Sequence, residues 1–199
     1  MLVIMHHRTT TEKIQQRYGD AVILDVTSRG THPWVRFSPF YPHRGIPVPF
    51  SPGWVSASVE GIWQGLKVFE HADIDPQKFE ITTMKNLKRS TRTYGKVLGH
   101  RRGVTGEHLF PYGEARRAIY FPCYHWVLEH CLQEQLNDLK RLEQERPVVL
   151  LDYETNSDSN DLSRPLSHAA LIKYYLEGNW PEPASGGEIE CSAKDELTR

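Results

Sequence analysis

Cysteine is scarce: Cys123, Cys131 and Cys191 are the only three in 199 residues. Their uneven spacing excludes a disulfide framework, and the single Cys-x-His pair, Cys123 and His125, fits no zinc spacing. Cys123, His125, His130 and Cys131 do not fall on one helix face, so no metal site is expected. No window approaches the roughly 20 apolar residues of a membrane span, and the apolar opening Met1 to Met5 is too short for a signal-peptide core. A cytoplasmic protein with no membrane association follows as the expectation. The chain also has no GxGxxG dinucleotide turn, no GxxxxGK[ST] phosphate loop, no GxSxG elbow and no HExxH. Chemistry without metal or organic cofactor is therefore expected.

Acid is missing from one stretch. Residues 81 to 106 contain Lys85, Lys88, Arg89, Arg92, Lys96, Arg101 and Arg102 but no Asp or Glu, although the net charge of the whole chain is only -1. The balance argues against a general DNA-coating protein and confines any anion binding to a patch. Seven neighbouring cations repel one another in the absence of a visiting anion, although a solvated surface of even weight explains them as well.

The length suits one domain able to bury a full core. Residues 1–183 read as that domain and 184–199, rich in Pro, Ser, Gly and Glu, as an acidic disordered tail. Thr9 with Glu12 makes a capping box for a short helix to about Tyr18, ended by Gly19. Ala21 to Val26 reads as a buried strand. Between Gly30 and Gly53 lie Pro33, Pro39, Pro42, Pro47, Pro49 and Pro52, which exclude helix and central strand and leave an ordered, ring-rich loop. Ser56 or Ser58 caps a helix reaching about Glu70, with Val59, Ile62, Leu66 and Phe69 on its buried face. Asp75-Pro76 opens another helix, and the glycines at 95, 99, 103 and 106 imply turns. Glu114 to about Glu145 reads as the main scaffold helix, kinked near Pro122. A strand from Val148 to Leu151 opens onto Asp152, and a last helix runs from about Pro165 to Glu177. The sum is an α+β fold, predominantly helical with a few short strands.

Helical spacing also places Glu60, Gln64 and Lys67 together opposite the buried face. For an isolated helix such a face is ordinary solvated surface; here it is flanked by rings on one side and cations on the other. Phe40 and Tyr41 lie upstream, and Trp63 sits at the border of the apolar and polar faces, suited to be wall and stacking surface at once. Core is the commoner fate of such rings. Lys85, Lys88 and Arg89, at helical spacing, are the candidates for phosphate. Asp152 and Asn156 follow a strand end, where open sheets commonly hold ligands, although such residues form turns as often.

Phe37-Ser38-Pro39-Phe40-Tyr41-Pro42, followed by Ser58-Val59-Glu60-Gly61-Ile62-Trp63-Gln64-Gly65-Leu66-Lys67-Val68-Phe69, resembles the NADAR superfamily, with its F-S-x-F-x-P loop and S-x-E-x-x-x-Q-x-x-K-x-F helix. The basic segment from Arg89 to Gly99 and Glu114-Ala115 fit more loosely, so the similarity spans roughly residues 21 to 177. Near its end the chain departs from the family pattern: an aspartate followed by Trp-Gly and Gly-Lys-Asn is replaced by Asp152 to Asp161 and Pro165-Leu166-Ser167-His168.

The resemblance implies a YbiA-like domain that binds ADP-ribose-like or phosphoribosyl compounds and, in some members, cleaves an N-glycosidic bond. On that basis Glu60, Lys67 and Asp152 are the expected catalytic residues of an N-glycosyl hydrolase. Phe40, Tyr41, Trp63, Gln64, Lys85, Lys88, Arg89 and Asn156 are its expected substrate contacts. The partner is a nucleotide-derived small molecule or an ADP-ribosylated nucleic acid, ADP-ribosylated guanine among them. The alternative is a non-catalytic module that binds ADP-ribose, NAD or a nucleic-acid end through the same patch.

Overall fold

Three strands from distant parts of the chain form the central sheet. The computed structural model describes residues 1–181, and the expected tail at 184–199 lies outside them. Strands β1 (Leu2–His6) and β2 (Val22–Asp25) both run parallel to β8 (Val148–Asp152), in the order β1-β8-β2. Helix α1 (Thr11–Tyr18) makes the crossover from β1 to β2. Its N-cap is Thr10, whose hydroxyl accepts from the Lys13 amide, rather than Thr9. Gly19 ends it at a φ of 64°, a conformation open to glycine at little cost. A strand flanked on both edges is buried on both faces, and Val148, Val149 and Leu150 accordingly form an uninterrupted apolar run with no exposed surface.

The proline-rich segment is extended as expected, with a 3-10 turn at Trp34–Phe37 and a two-residue antiparallel ribbon of β3 (Ile46–Pro47) and β4 (Val55–Ser56). Helix α2 (Val59–Gly65) begins at Ser58, whose hydroxyl accepts from the Gly61 amide at 3.0 Å. It is two turns long and stops well short of Glu70. Lys67 therefore belongs to a strand, β5 (Lys67–Phe69), and not to the helix. The expected apolar stripe survives this change, since Val59, Ile62, Leu66 and Phe69 are all buried. The geometry changes where Gly65 meets the 3-10 helix Pro76–Glu80, because a side chain at Gly65 would fall on the Phe79 ring.

The basic segment also differs from expectation. After a single turn, α3 (Thr91–Tyr94), it forms β6 (Val97–Arg101), which pairs antiparallel with β5 and with β7 (Leu109–Phe110). Residues 82–90 are irregular, so Lys85, Lys88 and Arg89 do not lie on a helix.

Helix α4 (Tyr112–Ala115) runs through a π-helical turn, Arg116–Tyr120, into α5 (Phe121–Cys131). Pro122 has no N–H for the Ala118 carbonyl, and the widened turn lies just before it. The long helix expected to reach Glu145 breaks at Leu132, where Gln133 Nε2 donates to the freed Leu128 carbonyl at 2.9 Å. α6 (Gln133–Glu145) then leads into β8, and α7 (His168–Glu177), capped by the Ser167 hydroxyl, closes the domain. One apolar cluster runs from Leu2 to Ile172 and includes Phe37, Ile62, Tyr124 and Leu150.

The fold is thus mixed α/β, about 39% helix and 16% strand in three small sheets, not predominantly helical. The expectation failed because strands were missed or read as other things: β1 was given no element, β5 was read as helix and β6 as turns. Among the described residues no helix is long and apolar enough to cross a membrane.

Candidate functional site

Helix α2 enters the interior with a polar face. Glu60 and Gln64, one turn apart, are 7% and 5% exposed, and the Glu60 amide donates to the Pro39 carbonyl at 2.9 Å. The proline-rich loop thereby satisfies one of the orphan donors of the first turn and holds the carboxylate at its depth. Gln64 Nε2 donates to Glu60 Oε1 at 2.8 Å, while Gln64 Oε1 accepts from Lys67 Nζ at 3.3 Å and from the Arg89 amide at 3.1 Å. A glutamine locked between these donors and one acceptor has its amide orientation fixed by the network.

Glu60 Oε2 has no hydrogen-bond partner among the described residues. Burial raises the Glu60 carboxyl above the usual range, and the Gln64 hydrogen bond and the charges of Lys67 and Lys88 offset this only in part. Burial lowers the half-buried Lys67 ammonium against the pull of Glu60, and Arg89 and Lys88 lower it further. Burial thus moves the acid up and the amine down, toward each other, a perturbation characteristic of functional sites.

Rings surround this pair. Trp63 stacks on His100 with centroids 3.7 Å apart and meets Tyr112 and Tyr120 edge-on. Lys67 Nζ lies 5.8 Å from the Trp63 ring and Lys88 Nζ 5.6 Å from that of Phe40. Burial and then the charges of Glu60 and Asp152 hold the Tyr120 phenol well above its ordinary value, so this hydroxyl stays protonated. No sequence pattern singles out Tyr120, Tyr112 or His100. Tyr112 opens α4, Tyr120 ends the π turn and His100 lies in β6, elements without a local signal.

Not every expected residue joins the cluster. Arg89 is buried and gives its guanidinium to the carbonyls of Gln64, Lys67 and Asp73, between the rings of Phe69 and Tyr94. It braces the end of α2 against β5 and has little left for a phosphate. Lys85 and Lys88 are exposed. Tyr41 packs between His32 and His43, away from Trp63's ring contacts. The Asn156 amide organises its own loop, donating to the Asp161 and Arg164 carbonyls and accepting from the Asp158 amide.

Asp152 is occupied on both oxygens. Oδ2 accepts from Ser167 Oγ at 2.6 Å and the Ala169 amide at 3.2 Å and lies 3.1 Å from His168 Nδ1, while Oδ1 accepts from the Tyr153 amide. Burial would raise this carboxyl, but the His168 charge and these hydrogen bonds hold it at about 2. Such a group is a fixed anion and a poor proton acceptor. Among the described residues no group of three or more His, Cys, Asp or Glu could hold a metal ion.

The fold and the cluster define a mixed α/β domain built around a buried, half-satisfied carboxylate. The model of a family of unknown function, DUF6939, matches residues 6–172, and the chain belongs to that family. That span covers Glu60, Lys67, His100, Tyr120 and Asp152. No curated protein and no solved structure matches the chain.

Proposed function

We propose that the protein hydrolyses the N-glycosidic bond between a ribose, carried on a phosphoribosyl or ADP-ribosyl group, and a nitrogenous base. The observation that carries this reading is Glu60: a carboxylate 7% exposed, with one oxygen held by Gln64 and the other without a hydrogen-bond partner among the described residues. Breaking such a bond builds positive charge at the sugar carbon, which a carboxylate stabilises while activating water. The oxygen of water bonds to the sugar carbon as the C–N bond breaks. One proton of that water passes to Glu60 and then to the departing nitrogen. Lys67 binds sugar or phosphate oxygens, Trp63 and Phe40 wall the base, and Lys88 and Lys85 attract the phosphate. Asp152, paired with the His168 imidazolium, holds the adjacent wall without taking the proton. The sequence resemblance to the NADAR superfamily supports the same reaction class. The free thiols Cys123 and Cys131 suit a reducing compartment such as the cytoplasm.

The test is chromatography with mass detection after incubating the protein with NAD, ADP-ribose, ADP-ribosylated guanosine, ADP-ribosylated DNA and aminopyrimidine ribose phosphates. Release of free base by the native protein and not by Glu60→Gln is the expected result. Absence of release from the whole panel, with thermal stabilisation by ADP-ribose, would replace the enzyme with a binding module.

A further inference from the structure

His100 is the most anomalous side chain near Glu60. It is 2% exposed, yet neither ring nitrogen has a hydrogen-bond partner. Leaving a buried polar group unpaired is destabilising, and a purely apolar ring would stack on Trp63 without that cost. Nothing in the packing asks for a histidine.

Its position suggests what does. In the strand register His100 lies opposite Lys67 on one side and Phe110 on the other, so Lys67 and His100 share one face of the β5-β6-β7 sheet. Trp63, three residues after Glu60 on α2, covers His100 from above. The imidazole is thus joined to the carboxylate helix by one ring and to the site lysine by one strand pair. Burial, reinforced by the Lys67 charge, pushes the His100 imidazole down to about 3. The ring then carries one N–H donor and one acceptor nitrogen, which a phosphate would not use and a hydroxyl matches on both counts.

We propose that His100 is a ligand-contacting residue of the Glu60 site, its imidazole hydrogen-bonding a hydroxyl of the ribose. The inference rests on reading that site as a ribosyl site. Contact requires a neighbouring side chain to yield, and Lys67, held by one 3.3 Å hydrogen bond from its ammonium, is placed to do so. Lys67 then moves onto the ligand as His100 gains its partner.

Calorimetric titration of the full chain with ADP-ribose and with ribose 5-phosphate tests the assignment, together with imidazole nitrogen NMR of the native protein. In His100→Phe, which keeps the stack and removes both nitrogens, affinity should fall about tenfold, the worth of one good hydrogen bond. Its melting temperature should hold or rise, which a structural histidine would not allow. His100→Gln, which retains a donor and an acceptor, should recover part of the affinity. On the native protein, ADP-ribose should shift the His100 nitrogen resonances. Binding that leaves those resonances unmoved, or native affinity in His100→Phe, would overturn the role of His100 and leave the ribosyl reading standing. Failure of the native protein to bind either ligand would overturn both.

Discussion

Asp152 and His168 form a buried ion pair whose proton positions are fixed by their partners. His168 Nε2 lies 2.8 Å from the Val26 carbonyl oxygen and Nδ1 lies 3.1 Å from Asp152 Oδ2. Both partners only accept, so both nitrogens donate and the ring is an imidazolium. The pair ties the end of β8 to the first turn of α7 and to the chain leaving β2. With both partners charged the pair is neutral overall, and the Asp152 charge still acts on the Tyr120 phenol. Burial would discharge the imidazole, but the Asp152 charge and hydrogen bond, with the Val26 carbonyl, raise it above its ordinary value.

The stability of the protein should follow this pair with pH. The depressed Asp152 contributes fully above its ordinary value of 3.8, and that contribution is lost as pH falls through about 2. The raised His168 contributes fully below its ordinary 6.5 and is lost as pH rises through its folded value. Stability from the pair is therefore greatest between those ordinary values. Asp152→Asn leaves a buried imidazolium unpaired and should cost about 3–5 kcal/mol. Denaturant melts of native and variant at pH 5 and pH 9 check this, with the difference between them expected to shrink at the higher pH.

Gly61 and Gly65 predict a second, purely steric effect. They are one turn apart on α2 and face the 3-10 helix, where an added Cβ at Gly61 would lie 2.7 Å from the Lys78 carbonyl oxygen and one at Gly65 would fall on the buried Phe79 ring. Helix propensity favours alanine by about 1 kcal/mol at such positions. Overpacking should win, with each Gly→Ala change destabilising by about 1–3 kcal/mol. Thermal melts decide it, and a gain in melting temperature at Gly65→Ala would show that the two elements separate easily.

Arg89 and Lys88, adjacent in sequence, should behave oppositely. Arg89 spends its guanidinium on three backbone carbonyls around Gln64, Lys67 and Asp73. Lysine cannot reproduce that fork, so Arg89→Lys should cost about 2–3 kcal/mol of stability, insensitive to salt. Lys88 is exposed, lies over the Phe40 ring and acts on Glu60 and Lys67 through its charge. Lys88→Ala should leave the melting temperature unchanged and weaken ADP-ribose binding, more at low salt than at high. Titrations at two ionic strengths separate the two roles.

Much of the site was written locally and some of it was not. Ser58 as a cap, Glu60 and Gln64 on one face, and the ring-rich loop against them are short-range features, and short-range chemistry produced them. Lys67 reached Gln64 although it left the helix, because a strand that starts directly after α2 keeps it within one side-chain length. The apolar residues Val68 and Phe69 suit a helix face and a buried strand equally, so periodicity had no means to find the boundary. β1 is a strand only because β8, some 140 residues later, hydrogen-bonds to it, and pairing over that distance leaves no local trace. His100 lies in a glycine-flanked strand with no pattern around it. Its significance is the lack of partners, which only packing reveals.

The last prediction concerns Glu60 itself. Its carboxyl is raised on folding, burial outweighing Gln64, Lys67 and Lys88. Between the ordinary value of 4.5 and the raised one, the folded protein holds a proton the unfolded chain has released, so stability falls as pH rises through that interval. Above it, the cost of burying the charge is present in full. Glu60→Gln removes that cost and keeps an oxygen for Gln64 Nε2 to bond. The variant should therefore melt higher than the native protein at pH 8 and equally at pH 4, while turnover is lost. A buried carboxylate that costs stability accords with the proposed reaction, since functional sites commonly trade stability for chemistry. Equal melting temperatures at both pH values would mean that water reaches Glu60 freely, and the proposed proton transfer would lose its basis.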